Sequence, residues 1–163
     1  MRSASWLACA LLIGCSGKAS APEESAPAAA APAPTKAKPR FVPTVGTGDV
    51  ADEVRGVVES SGEETVVVYI GASWCGPCQA FHAALERGDL DERLFGVKFL
   101  EYDADRDTAR LNAAGYTGRL IPRFALPGSD GRFGGTKIEG GIKGDGAVEH
   151  ILRRLEPMLA AAS

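Results

Sequence analysis

The sequence has no excess of positive charge. Its 18 Lys and Arg residues are outnumbered by 21 Asp and Glu residues, which gives a formal net charge of −3 and an isoelectric point near 5.4. Proteins that bind nucleic acid usually carry clustered cationic side chains that neutralise phosphates. The charge balance therefore argues against a broad phosphate-binding surface and against nucleic acid as a partner.

Long apolar runs are also missing. The apolar stretch near the N-terminus covers residues 6–13, whereas a helix that crosses a bilayer needs about 20 such residues. Hydrophobic residues make up 45% and aromatic residues only 7% of the 163 positions, which suits one globular domain joined to a less structured segment. The sequence therefore predicts neither a permanent transmembrane span nor a second large domain.

Residues 1–14 are instead typical of an export signal, with a positive charge before the apolar stretch. The run LIGC at residues 12–15 resembles the lipobox of bacterial lipoproteins. That resemblance implies cleavage before Cys15 and lipidation of Cys15, which would anchor the chain stably to a membrane. In lipoproteins of bacteria with two membranes, the residue after the lipidated cysteine bears on which membrane receives the protein. Ser16 at this position, rather than Asp, implies the outer membrane. An ordinary secreted protein that is cut nearby is the alternative.

The next residues, 15–43, predict a linker between the lipid anchor and a folded domain. Up to residue 40 they are rich in Ala and Pro and contain almost nothing large enough to build a core. Periodic apolar runs begin after this segment. The folded domain is therefore predicted to span residues 44–163.

Strands and helices alternate along this domain. Apolar residues at helical spacing predict four helices, at residues 48–60, 78–87, 105–114 and 145–160. Asp49 is expected to cap the first helix and Gly88 to close the second. Runs of β-branched and aromatic residues predict two buried strands and a hairpin, at residues 65–70, 97–102, 123–126 and 136–139. This order predicts an α/β fold in which a mixed sheet of about four to five strands, with residues 65–70 at its centre, is flanked by helices.

The pentapeptide WCGPC, residues 74–78, stands between the predicted central strand and the helix that follows it. Here the sequence resembles the thioredoxin family, in both the motif and the order of the predicted elements. The resemblance implies a thioredoxin-like fold, a redox-active Cys75–Cys78 disulfide, and neither a bound cofactor nor a metal ion at the thiols. The long stretch after the motif resembles the thioredoxin-like domains of envelope disulfide reductases of the thiol–disulfide interchange type.

Physical chemistry gives the two sulfurs different roles. Unpaired N–H groups and the helix dipole at the start of a helix stabilise the thiolate of Cys75, which makes it the attacking sulfur. Cys78 lies one helical turn further along the same face and is expected to resolve the mixed disulfide. Gly76 is expected to permit a sharp entry into the helix, and Pro77 suits its first turn. Trp74 is expected to offer substrates a flat apolar face, or else to be a partly buried strand-end aromatic.

A second part of the resemblance is the pair Ile121 and Pro122, just before a predicted strand. In thioredoxins this proline is cis and faces the disulfide, so the backbone of Ile121 is expected to pair with an extended substrate. An ordinary trans proline at a strand edge is the alternative. Gly141, which follows Gly140, resembles the family's glycine that lets the substrate backbone approach closely.

One central position departs from the family. Thioredoxins generally carry Asp six residues before the first motif cysteine, where it accepts the proton of the resolving thiol, but this chain has Tyr69. A phenol is a poor base at neutral pH. Tyr69 and Glu101, the latter on the adjacent predicted strand, are the candidate proton-relay residues; an exposed carboxylate without a role is the alternative for Glu101. His82, four residues after Cys78, is predicted to pack or face solvent rather than bind a metal.

These features predict a lipid-anchored, monomeric thiol–disulfide oxidoreductase of the bacterial cell envelope, facing the periplasm. Its partners would be disulfide-containing envelope proteins and a membrane electron donor, because a reductase in an oxidising compartment must be recharged. Net reduction is the main expectation, and a disulfide isomerase or oxidase of the same fold is the alternative. A binding module with a structural disulfide would instead hold a buried bridge that resists reduction. A metal carrier is disfavoured by Pro77 and Pro122 beside the sulfurs.

Overall fold

The computed structural model of the protein describes residues 36–162. In chain order its elements are β1 Arg40–Pro43, α1 Val50–Ser60, β2 Thr65–Gly71, α2 Gly76–Glu86, β3 Val97–Asp103, α3 Thr108–Ala113, β4 Arg123–Pro127, β5 Phe133–Glu139 and α4 Ala147–Ala160. The predicted signal peptide, Cys15 and the linker up to residue 35 lie outside the described residues and stay predictions. No helix in the described range is long and apolar enough to cross a membrane.

One mixed sheet holds these strands in the order β1-β3-β2-β4-β5. β2 is central, as the sequence predicts, and it is parallel to β3 and antiparallel to β4. Every residue of β2 after Thr65 is buried, as expected for a strand that is covered by helices on both faces. The predicted fold, an α/β sheet of five strands flanked by helices, is confirmed.

Side chains that alternate along the strands build two core layers. Tyr69 and Phe99 belong to the layer under α2 and α4, whereas Val68 and Leu100 belong to the layer under α1 and α3. Residues 72–75 connect the end of β2 to the start of α2. The motif at residues 74–78 therefore lies at the carboxyl edge of the sheet. This is the edge at which open α/β sheets place their functional sites.

The folded region begins earlier than residue 44. Residues 40–43, which the sequence analysis assigned to the linker, form β1 and pair in parallel with β3. Phe41 fixes this strand to the core, since its ring centroid lies 5.0 Å from that of Tyr69. Pro39 precedes the strand and Pro43 is its last residue, which made the segment resemble the linker, but an edge strand tolerates proline at its ends.

Side-chain hydrogen bonds to the backbone determine where α1 and α3 begin. Asp49 caps α1 as predicted, because its Oδ1 accepts hydrogen bonds from the N–H groups of Ala51 at 2.7 Å and Asp52 at 3.1 Å. α3 begins only at Thr108, since the carboxylate of Asp103 holds the preceding residues in a turn by accepting from the Asp105 N–H at 2.9 Å. The predicted helix over residues 105–114 is therefore too long at its start.

Candidate active site

A disulfide joins Cys75 and Cys78 at the junction of β2 and α2, with their Cα atoms 5.2 Å apart. Cys75 is the N-cap of α2, and its Sγ accepts a hydrogen bond from the N–H of Cys78 at 3.3 Å. A sulfur in this position faces the unpaired N–H groups and the positive end of the helix dipole. The start of α2 therefore favours negative charge on Cys75 once the disulfide is reduced.

Both cysteines are buried. Cys75 has 5% of its surface exposed and Cys78 has 2%. The smaller exposed fraction of Cys78 agrees with an attacking Cys75 and a deeper resolving Cys78. The low exposure itself is also what a structural disulfide would show, and it means that a partner must seat closely to reach Cys75.

The first turn of α2 holds two residues of the motif, Gly76 and Pro77. Pro77 occupies that turn as predicted, where its missing N–H removes no intrahelical hydrogen bond. Gly76 does not have a left-handed backbone, and a Cβ atom there would meet no atom within 4 Å. Neither the backbone conformation nor the surrounding space therefore requires glycine at position 76.

The Ile121–Pro122 peptide bond is cis, as the family resemblance implied, and the trans alternative is wrong. The loop at Gly141 lies against it: a Cβ atom at Gly141 would stand 2.9 Å from Pro77 Cβ and 3.6 Å from Pro122 Cδ. Among the hydrogen bonds within residues 36–162, none uses the backbone of Ile121. That N–H and C=O are therefore open to an extended peptide, and their contact with a substrate stays a prediction.

Trp74 stands at the surface beside the disulfide. It is 66% exposed, so it is not the partly buried aromatic of the alternative reading. Its Nε1–H donates a hydrogen bond to Asp105 Oδ2 at 2.7 Å, which orients the indole ring. Asp105 could not be predicted as a site residue, because only the turn after β3 brings it next to the motif.

Tyr69 is fully buried at the position of the family's Asp. Its hydroxyl has no hydrogen-bond partner among the described residues. Burial raises the pKa of the Tyr69 phenol, and the negative charge of Glu101 raises it further. Tyr69 therefore stays protonated at neutral pH, so it can donate a hydrogen bond but cannot be the base that accepts a proton.

Glu101 lies directly opposite Tyr69 in the β2–β3 register, and its Oε1 is 2.8 Å from His82 Nε2. The His82 ring stacks on Phe41, with centroids 3.9 Å apart and planes 10° from parallel. His82 thus packs, as predicted, but it also pairs with the candidate relay carboxylate. The spacing of four residues between Cys78 and His82 could be read from the sequence. The contact of His82 with Glu101 depends on how β2 pairs with β3. Within residues 36–162, no group of three or more His, Cys, Asp or Glu side chains is placed to hold a metal ion.

Comparisons with known proteins bear on this site. The family model described as Thioredoxin matches residues 50–152, a span that includes both cysteines, Pro122 and Gly141. The chain is 31% identical over 88 residues to a chloroplastic F-type thioredoxin of pea, covering 52% of this chain and 47% of that protein. It is 42% identical over 53 residues to rabbit thioredoxin, covering 30% of this chain and 45% of that protein.

These matches span about half the length of the curated relatives. Among solved structures, the short form of spinach chloroplast thioredoxin f aligns at 24% identity and a TM-score of 0.49. That alignment covers 78% of this chain and 96% of the spinach chain.

Proposed function

Because the chain belongs to the thioredoxin family, we propose that it is a lipid-anchored protein disulfide reductase of the bacterial cell envelope. The family and the Cys75–Cys78 disulfide make the protein a thiol–disulfide oxidoreductase. Thioredoxins act through their own redox-active disulfide without a cofactor. The redox group is therefore part of the chain itself.

The observation that carries the proposal is the N-cap position of Cys75, whose Sγ accepts the Cys78 N–H. In the reduced protein the Cys75 thiolate attacks a substrate disulfide, so that a Cys75–substrate bond forms and one substrate thiolate leaves. Cys78 then loses its proton and attacks Cys75 Sγ. The intramolecular disulfide forms, the second substrate thiol leaves, and two electrons have passed to the substrate.

The surface around the sulfurs supports a protein substrate. The free backbone of Ile121 offers one donor and one acceptor to an extended segment, in the manner of strand addition. Gly141 packs against Pro77, which brings the loop before α4 next to the disulfide. Trp74 adds an exposed apolar face held by Asp105. Disulfide-containing envelope proteins that expose a short extended segment are the proposed substrates.

Reduction is the proposed direction because the CGPC loop is that of thioredoxin, whose potential of about −270 mV lies at the reducing end of this class. A reductase in the oxidising envelope needs electrons from a membrane donor. The export signal over residues 1–14 and the lipobox at Cys15 support this location, with the outer membrane as the proposed site. An Ala- and Pro-rich linker would give the domain reach from the membrane.

Reduction of insulin in the presence of dithiothreitol tests the activity. The wild-type full chain is expected to accelerate precipitation of the insulin B chain, and Cys75→Ser to lose this acceleration. If dithiothreitol cannot open the Cys75–Cys78 bridge and insulin is untouched, the protein is a module with a structural disulfide.

Labelling with radioactive palmitate in a bacterial host tests the anchor. Label in the membrane fraction is expected for wild type and for Cys9→Ser, which is the matched control. Cys15→Ser is expected to lose the label. Label that persists in Cys15→Ser, or none in wild type, would contradict the lipid anchor without touching the redox assignment.

A further inference from the structure

A cavity of about 650 Å³ opens beside Cys78, on the side of the sheet that α2 covers. Cys78 and His82 line it from α2, Tyr69 from β2, and Glu101 from β3. The cavity is large enough for several water molecules, and its polar side chains supply the partners that ordered water requires. The resolving sulfur therefore shares a solvent-accessible space with two groups that can take up a proton.

His82 is held in this space by three contacts. Its position four residues after Cys78 puts both on the same face of α2. Its ring stacks on Phe41 of β1 and meets the Tyr69 ring edge-on, with centroids 5.4 Å apart. Its Nε2 lies 2.8 Å from Glu101 Oε1. A carboxylate on one ring nitrogen fixes the tautomer of a histidine and stabilises the charge it acquires on accepting a proton.

Tyr69 contributes a hydrogen-bond donor rather than a base. Tyr69 lines the cavity, and its buried hydroxyl has no hydrogen-bond partner among the described residues. Burial first, and the charge of Glu101 second, raise the pKa of the Tyr69 phenol. Because the Tyr69 phenol keeps its proton, Tyr69 is not the group that takes up the proton of Cys78.

We propose that His82 and Glu101 together accept, through water in this cavity, the proton that Cys78 loses when it resolves the mixed disulfide. This inference rests on the proposed thiol–disulfide exchange. The Cys78 S–H bond breaks, its sulfur bonds to Cys75 Sγ, the Cys75–substrate bond breaks, and the substrate thiolate leaves. The proton moves to the His82–Glu101 pair and from there to solvent. No other redox partner is needed for this step.

The cavity is also lined by titratable side chains other than the His82–Glu101 pair, and several of them are held by partners of their own. The titratable side chains that line it, apart from Cys78 and His82, are Tyr69, Glu86, Glu101, Tyr102, Asp103 and Arg106. Arg106 Nη2 is held 2.9 Å from Asp107 Oδ2, and Tyr102 Oη donates to Glu53 Oε2 at 3.0 Å. Glu86 lies one helical turn beyond His82, so Glu86→Gln is a matched control for loss of a cavity carboxylate.

The test is stopped-flow reaction of the reduced full chain with 5,5′-dithiobis(2-nitrobenzoic acid), in a background of Cys9→Ser and Cys15→Ser. Attack by Cys75 releases the first thionitrobenzoate, and resolution by Cys78 releases the second, so the two steps are separated in one trace. Variants His82→Gln, Glu101→Gln and the double variant are compared with Glu86→Gln and with His150→Gln, which removes the other histidine.

The second phase is expected to slow by about tenfold or more in the double variant near pH 7, with the first phase unchanged. The deficit should vanish in alkaline solution, where hydroxide deprotonates Cys78, and imidazole should restore the rate of His82→Gly. The relay is overturned if the rate of the second phase is the same in all variants and if the pH profiles of that rate run parallel. If wild type releases no second thionitrobenzoate, the exchange reaction itself fails, which is a different outcome.

Discussion

Gly141 lies so close to Pro77 that a Cβ atom at Gly141 would stand 2.9 Å from Pro77 Cβ. Neither the proline ring nor the loop backbone is the end of a flexible side chain that could move aside. The contact therefore joins the loop before α4 to the first turn of α2, next to the disulfide. It explains why glycine is required at this position of the chain.

Gly141→Ala is expected to lower both stability and activity. The added methyl group overpacks the contact with Pro77, which costs about 1 to 3 kcal/mol of the free energy of unfolding. Relieving the clash must shift Pro77 or the loop, both next to the disulfide, so the rate of insulin reduction should fall. Urea unfolding and the insulin assay measure the two effects. Gly76→Ala is the control, because its Cβ meets open space; equal losses in both variants would contradict this account.

Asp105→Ala is expected to weaken substrate binding by releasing Trp74. The Trp74 Nε1–H loses its acceptor at 2.7 Å, and one net hydrogen bond corresponds to about a two- to tenfold change in an equilibrium. The KM for insulin should therefore rise, with kcat little changed. Asp105→Asn keeps an oxygen acceptor and is expected to behave as wild type. An unchanged KM in Asp105→Ala would remove the oriented indole from the docking surface.

Glu64 is expected to make the fold sensitive to acid. Arg40 of β1 donates to the Glu64 carboxylate at 2.7 Å, and Lys98 lies 3.0 Å from it. The hydrogen bonds from Arg40 are the main cause that lowers the pKa of Glu64 from 4.5 to about 2. Because the folded pKa is the lower one, the stabilisation is present above the unfolded value. It is lost as the pH falls from about 5 towards about 2.

Glu64→Gln should therefore lower the free energy of unfolding near neutral pH by about 1 to 3 kcal/mol. It should also flatten the acid side of the stability curve. Denaturant titrations at a series of pH values measure both effects. The exposed neighbour variant Glu63→Gln is the control. If stability falls with acid in the same way in wild type and in Glu64→Gln, the ion pair between Arg40 and Glu64 does not act as described.

Local patterns predicted the elements that depend on local forces. The β-branched run of β2, the Asp49 cap and the motif at the strand–helix junction could all be read from neighbouring residues. β1 could not, because a four-residue segment that follows one proline and ends on another becomes a strand only by pairing with β3. The contact of His82 with Glu101 was hidden for the same reason: it joins α2 to β3, and spacing along one helix cannot reveal a partner on a strand.

The low exposure of Cys75 was also out of reach of the sequence. Pro77 and Gly141 lie far apart in the chain, and only the path of the loop before α4 brings them together. The residues themselves were predicted. Their distances to one another, and thus how tightly a substrate must fit, came from the tertiary structure.

The most direct test of thiol–disulfide exchange at this site is trapping with Cys78→Ala in the full chain carrying Cys9→Ser and Cys15→Ser. The reduced variant is mixed with insulin, quenched in acid and analysed by non-reducing mass spectrometry. The account predicts a mixed disulfide between Cys75 and insulin that dithiothreitol releases and that Cys75→Ser abolishes. A Cys75 that stays free in Cys78→Ala, with insulin intact, would contradict it.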